Sequence, residues 1–505
     1  MMNHIREGRG LRALPGLLLV GALTLSLAGC NTDEIVEVED PAQLQPSETN
    51  SADAVPALVN GALRQFIGGY SGLGDDSFMS VSALISDEFY YGDSFTTRNA
   101  GDRRSMQAPI LGNISDTPFL RLHQARMLAR RAYAAVNKFE DELADDPDAF
   151  RAELRRTEGY VYVALSEGWC GAVPFSNVPD EGEIDPAKIE SGQPLTVAQM
   201  NQAAIPLFDE AIALAADVTG TRAATVGKGR ALLNLGQFAN AAAAVANVPT
   251  TFVFHLEHST NTSTQNNGIA SLIDNGRYSP SNWEGGQNAS GTAFRPDNNN
   301  TATAPASAEG LGFRGAQDPR LPYLLTGGCF TSAIFCFTNL NYPDFDADVP
   351  LASGVEARLI EAEAALQAGN VDLMLTRLNA LRASAASLLP LLYPDRIQGF
   401  PASPGVISLA ALTDPAAAGA TAAEAFAARR NLLFRERAFW LYNTGHRQGD
   451  LRRLIRQYGL PQNQVFPSGP YFRGSAYGSD VNYPVPFNEE NNPNFVRAGC
   501  ITTEA

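Results

Sequence analysis

Leu235-Gly236-Gln237-Phe238-Ala239-Asn240-Ala241 divides two runs of helical periodicity, Arg222 to Leu235 and Phe238 to Val245. Glycine permits a tight reversal, Phe238 is the bulky residue that fills the gap between two helices, and Ala241 lets their backbones approach. The spacing predicts a helical hairpin. Val197 to Ala216 supplies a helix ahead of it, and Leu366-Gln367-Ala368-Gly369-Asn370 repeats the logic between Pro350–Ala368 and Val371–Ala383. Upstream, Thr117 to Lys138 carries an apolar stripe of Leu120, Ala125, Leu128, Ala132, Ala135 and Val136. A further helix spans about Asp148 to Gly168 and breaks at Gly168-Trp169-Cys170-Gly171-Ala172-Val173-Pro174, where glycine and proline force a turn. The chain reads as mainly α, built from helix pairs.

The Gly236 turn is similar to the inter-helix turn of a tetratricopeptide unit, and the Gly369 turn makes the likeness a repeated one. At 505 residues, with 44 glycines and 31 prolines, the chain exceeds what one core fills and is read as a helical body with long excursions. The largest excursion is His255 to Val349, rich in Asn, Gly, Ser, Thr and Pro, and loops of this length are uncommon unless functional or disordered. It holds Tyr278, Trp283, Phe294 and Arg295 among Asn282, Asn288 and Asn298 to Asn300, a mixture suited either to ligand recognition or to an irregular cover with buried rings.

Nearer the N-terminus, Ser51 or Asp53 caps a helix carrying Val55, Leu58, Val59, Leu63 and Phe66, which Gly68, Gly69, Gly72 and Gly74 end. The apolar run Phe78 to Ile85 leads into Ser86-Asp87-Glu88-Phe89-Tyr90-Tyr91-Gly92-Asp93. Sugar binding needs aromatic faces for the C–H surface of the ring and planar polar groups for its hydroxyls. Phe89, Tyr90, Tyr91, Arg98 and Asn99 supply both kinds; the bland reading is a capped turn with half-buried rings. A glycosidase needs two carboxyls about 5–9.5 Å apart, and adjacent Asp87 and Glu88 point in different directions.

The N-terminus reads as a leader. Arg6, Arg9 and Arg12 precede a 14-residue apolar run, Leu14 to Leu27, shorter than the ~20 residues that span a bilayer. It ends in Leu27-Ala28-Gly29-Cys30, which resembles a bacterial lipobox: residues 1–29 are then a lipoprotein signal peptide, Cys30 carries lipid, and 30–51 are an acidic, flexible tether. Losing Arg6, Arg9, Arg12 and Glu7 takes the formal charge from −17 to −19, which argues against nucleic acid or anionic lipid as partner. Cys170, Cys329, Cys336 and Cys500 remain, an even number suited to two disulfides in an oxidising compartment. Cys329 and Cys336 close a short loop, leaving Cys170 with Cys500; two other pairings are also allowed.

Val355-Glu356-Ala357-Arg358-Leu359-Ile360-Glu361-Ala362-Glu363-Ala364, partnered by Leu378-Asn379-Ala380-Leu381-Arg382, resembles the hallmark hairpin of the SusD/RagB family of outer-membrane nutrient-binding lipoproteins. Arg429 to Trp440, Gly445 to Arg453 and Tyr483-Pro484-Val485-Pro486-Phe487-Asn488-Glu489-Glu490 follow in that family's order, so the resemblance covers residues 52–505, with C-terminal blocks at 429–493. It implies a body of tetratricopeptide-like helix pairs (about 117–250 and 350–383) and an irregular, loop-rich ligand-binding half (about 255–349). It implies cell-surface attachment to the outer membrane through the lipid anchor. The implied partner is a SusC-like TonB-dependent barrel, under this protein as its lid, and the implied cargo an oligosaccharide or peptide nutrient. Related proteins bind through the regions that here contain Tyr90, Tyr91, Arg98, Asn99, Tyr278 and Trp283.

The blocks also have a plain physical reading: an apolar stripe of Phe434, Ala438 and Leu441, a helix end at Gly445, and Asp450 as cap of a short helix, with the arginines in internal ion pairs. His255-x-x-His258 lacks the helical spacing of a zinc site. No phosphate loop or nucleophile elbow is present, so neither cofactor nor metal nor catalysis is expected. The rival readings are a tetratricopeptide-like envelope scaffold for protein partners and a glycoside hydrolase using Asp87 or Glu88.

Overall fold

The computed structural model describes residues 50–106, 113–182, 185–281, 312–314, 316, 318–331, 335–397, 407–469, 471, 473 and 475–505. Cys30, the tether up to residue 49, Trp283, Phe294, Arg295 and the asparagines 282, 288 and 298–300 lie outside them.

After a short turn at Ala52–Ala54 the chain runs through α1 (Val55–Tyr70), α2 (Phe78–Ile85), strand β1 (Phe89–Tyr91), α3 (Thr96–Asp102), α4 (Asp116–Phe139) and α5 (Pro147–Gly168). Strands β2 (Val173–Pro174) and β3 (Pro194–Leu195) precede α6 (Val197–Leu214), α7 (Val218–Asn234) and α8 (Phe238–Val245). The middle holds β4 (Val253–Leu256), α9 (Gly268–Asp274), β5 (Tyr278–Pro280), β6 (Tyr323–Gly328), β7 (Phe335–Asn339) and β8 (Val349–Ser353). Then come α10 (Gly354–Gln367), α11 (Val371–Ala383), α12 (Ala385–Leu392), α13 (Ala422–Trp440), α14 (Arg447–Arg456) and α15 (Gln462–Val465).

Helices α4 to α8 pack each on the next, α10 continues against α7 and α8, and α11 lies against α10. The Gly236 turn has φ +72°, which glycine adopts without steric cost, and Ala241 is buried where α7 and α8 meet. Several expectations are corrected. Gly68 and Gly69 do not end α1; they lie within it, and a Cβ on Gly69 would stand 2.9 Å from Leu122 Cγ, so its absence lets α4 close in. Neither Ser51 nor Asp53 caps α1, whose first turn is set by Ala54 and Pro56. The segment from Pro350 is first a strand, paired with β4, and α10 starts only at Gly354, where the Ser353 hydroxyl accepts from Glu356 N at 3.1 Å. In the stripe of α4, Leu120 is exposed.

The core is ring-rich: Trp169 stacks on Phe78 at 6.2 Å and meets the edge of Phe119 at 5.7 Å. Such pairs add about 0.5–1.5 kcal/mol each beyond the area they bury. The C-terminal blocks are internal. Asp450 is not the cap of α14; it sits in the first turn and receives Arg437 from α13, while Arg453 joins it to Glu363 of α10. Glu436 takes both Arg320 and Arg382 at 2.7 Å. Cys170 is bonded to Cys500 and Cys329 to Cys336.

Candidate functional site

Antiparallel pairing of β1 with β5 brings Tyr91 opposite Tyr278 and Tyr90 opposite Ser279, across almost 190 residues of sequence. Side chains alternate across a strand, so Tyr91 and Tyr278 share one face, rings 5.7 Å apart, while Tyr90 turns to the other and packs on Cys329 and Cys336. Tyr278 Oη donates to Asp76 Oδ1 at 2.6 Å, and Arg98 closes its fork on Asp76 Oδ2. The structure therefore gathers Tyr90, Tyr91, Tyr278, Arg98 and half-buried Asn99 into one region. It does not present the tyrosine faces to solvent: β1 packs on α2 and α3, β5 on β7, and all three rings are buried. Burial pushes the Tyr91 hydroxyl up to about 12.

Asp102 anchors this floor. Its carboxylate accepts from Tyr91 N at 3.1 Å and from Tyr471 Oη at 2.5 Å, and burial raises it to about 7 against those bonds. Asp87 and Glu88, the carboxylates weighed for catalysis, are also buried: Tyr477 Oη donates to Asp87 Oδ2 at 2.8 Å and Asn443 N to Glu88 Oε1 at 2.9 Å. They tie C-terminal segments to the region around β1.

Above the tyrosine floor lie residues that sequence reasoning passed over. Phe95 is 52% and Phe330 65% exposed, and Arg277 lies between them, its guanidinium carbon 5.4 Å from one ring centroid and 5.6 Å from the other. The Arg98 guanidinium also flanks Phe95, at 5.6 Å. Three short segments make this platform, knitted by Gly92 N to Arg277 O (2.7 Å), Phe330 N to Gly276 O (2.9 Å) and Thr331 N to Gly92 O (3.0 Å). The Cys329–Cys336 disulfide holds the third segment, and Gly92 has no room for a Cβ, which would stand 2.6 Å from Cys329 Sγ. Two exposed phenyl faces with a planar cation between them offer apolar surface and hydrogen-bond donors in one patch. The only sequence signal was adjacency: Arg277 precedes Tyr278, and Phe330 follows Cys329.

Two cavities lie elsewhere. One of about 830 Å³ runs between α8, α10 and α11, lined by Phe238, Ala242, Ala365 and Leu373, so the two hairpin turns border a common groove. The other, about 480 Å³, is lined by Phe66, Glu153, Arg156, Phe254 and Asp348. His258 is buried, held by Ser71 Oγ at 2.9 Å, and burial lowers it to about 4. Among the described residues no group of three or more His, Cys, Asp and Glu is placed to hold a metal ion, and no helix is long and apolar enough to cross a membrane.

No protein-family model and no curated protein matches the chain. Solved structures do. A SusD superfamily protein from Bacteroides thetaiotaomicron VPI-5482 is similar at TM-score 0.56 and 14% identity, over 88% of this chain and 99% of that one. Surface glycan-binding protein A from Bacteroides uniformis gives 0.55 and 13%, over 89% and 100%. A laminarin-binding SusD-like protein gives 0.52 and 14%, over 89% and 99%. The chain has the SusD superfamily fold, mainly helical with small two-stranded sheets.

Proposed function

We propose that this chain is a SusD/RagB-type lipoprotein that binds carbohydrate without transforming it. The observation that carries the reading is the Phe95–Arg277–Phe330 platform, which is preorganised, exposed and built on the tyrosine floor. The fold supports it, since proteins described as glycan- and laminarin-binding share that fold. In this reading Tyr90, Tyr91 and Tyr278 support the platform, Arg98 and Asn99 border it, and Trp283, just beyond the end of β5, adds a ligand contact. Cys30 carries the lipid, the protein sits on the cell-surface face of the outer membrane, and a SusC-like TonB-dependent barrel receives the cargo.

Isothermal titration of residues 31–505 against neutral and charged oligosaccharides and against peptides tests the binding step. Saturable carbohydrate binding that Phe330→Ala weakens supports it; peptide binding alone, or release of shortened sugars, refutes it. Extraction of the tagged full-length protein from host membranes tests the rest, with a stoichiometric TonB-dependent barrel expected and loss of membrane attachment in Cys30→Ala. The scaffold reading has one observation in its favour, the apolar groove between α8 and α10–α11. Recovery of envelope-assembly proteins without a barrel would favour it.

A further inference from the structure

Resting on the carbohydrate-binding reading, we infer that the ligand is an anionic glycan, carboxylated or sulfated, and that Arg277 is the residue that reads its charge. Two neighbouring guanidiniums are already engaged. Arg98 has its fork closed by Asp76, and Arg121 has its fork closed by Asp75 at 3.1 and 3.2 Å. Arg277 is different. Its single charged contact among the described residues runs from Nε to Asp93 Oδ2 at 3.5 Å, too long for a good hydrogen bond. Neither of its Nη atoms has a hydrogen-bond partner among the described residues, and its side chain is 29% exposed. The Nη1–Nη2 edge, two parallel donors in a fixed plane, is the edge that meets a carboxylate or sulfate with two bonds at once.

The acceptor side of the patch points the same way. A neutral sugar hydroxyl both donates and accepts, so neutral glycans call for acceptors as well as donors. Here both oxygens of Asp76 are engaged, Oδ1 by Tyr278 and Oδ2 by Arg98, while Asp93 Oδ1 takes Ser94 N and Oγ and Asp93 Oδ2 is buried beside Arg277 Nε, away from solvent. What the platform offers between its two ring faces is a pair of charged donors. The two rings flank the guanidinium, and backbone bonds and the disulfide hold the three segments that carry these side chains, which lowers the ordering cost of binding. The net charge of −17 opposes a short anionic oligosaccharide less than it opposes a polyanion or a charged membrane surface, because at physiological ionic strength exposed charges more than about 8 Å from the bound group are largely screened.

The test uses residues 31–505 and matched oligosaccharide pairs: oligogalacturonate with its methyl ester, and sulfated galactan oligomers with their desulfated forms. Calorimetry is expected to show the anionic member of at least one pair binding about 10- to 100-fold more tightly, the range for a hydrogen bond to a charged group. Arg277→Gln is expected to erase that preference, and Arg277→Lys to weaken it, since a point charge cannot bridge two oxygens. Both variants should unfold at the wild-type temperature. Neutral members binding as tightly as anionic ones, or a preference that survives in Arg277→Gln, overturns the inference and leaves carbohydrate binding standing. Absence of binding to every carbohydrate offered, neutral or charged, overturns the underlying reading as well.

Discussion

Arg437 donates to Asp450 twice, Nε to Oδ2 and Nη2 to Oδ1, both at 2.8 Å, and both side chains are buried. One residue lies on α13 and the other on α14, so the pair clamps two of the C-terminal blocks by which the sequence resembles the SusD/RagB family. Arg437 and Arg453 outweigh the effect of burial and hold the Asp450 carboxyl well below the usual range. The clamp therefore contributes fully at neutral pH and is lost only as the pH falls below the unfolded carboxylate value of about 3.9.

Without Asp450 the buried Arg437 and Arg453 share the single carboxylate of Glu363. Asp450→Asn should cost about 3–5 kcal/mol in urea denaturation at pH 7, while replacing both residues by apolar ones of similar volume should cost less.

Asp102 carries the opposite sign. Burial raises its folded-state pKa to about 7, above the unfolded value near 3.9, so the folded state binds the extra proton between these limits. Its contribution is greatest below about pH 4 and is lost as the pH rises to about 7. Asp102→Asn removes that dependence, so the variant should gain stability relative to wild type between pH 4 and 7, measured by denaturation at both ends of the window.

The two disulfides should separate stability from binding. Cys170–Cys500 spans 330 residues and Cys329–Cys336 spans 7, so chain entropy assigns them about 6 and about 2.5 kcal/mol. Serine at both members of the first pair should lower the denaturation midpoint further. Serine at both members of the second should have the larger effect on carbohydrate affinity, because that bridge holds the loop bearing Phe330.

Exposure and crowding predict two contrasting variants on the platform. Phe95→Ala and Phe330→Ala remove exposed rings and should change stability by no more than about 0.5 kcal/mol while lowering carbohydrate affinity in calorimetry. Gly92→Ala forces a methyl group to within 2.6 Å of Cys329 Sγ and should cost about 1–3 kcal/mol in thermal unfolding while also lowering affinity.

The helices were legible because their signals are local. Gly236, Phe238 and Ala241 mark the α7–α8 hairpin within seven residues, and α8 runs from Phe238 to Val245 as its periodicity predicts. Gly68 and Gly69 misled for the same reason: read locally, adjacent glycines end a helix, but here they let α4 approach. Only the partner helix, fifty residues away, tells the two roles apart.

The candidate site was legible in its region and not in its residues. The run around Tyr90 and Tyr91 and the segment holding Tyr278 do come together, but the tyrosines lie beneath the patch, and Phe95, Arg277 and Phe330 form its face. An aromatic residue in sequence carries no mark of which side of a strand will meet solvent, and β1 and β5 are too short for alternation to show it.

The sequence by itself determined the mainly helical class, the hairpin turns and the order of the C-terminal blocks, because helix periodicity, glycine turns and caps act over a few residues. Tertiary structure alone decided that Asp450 clamps a helix pair, that Asp87 and Glu88 are buried anchors, and that Arg277 stands between two phenyl rings. Each of these depends on residues ten to several hundred positions apart meeting in one place, and burial and pairing at such meetings are settled by packing that no local pattern encodes.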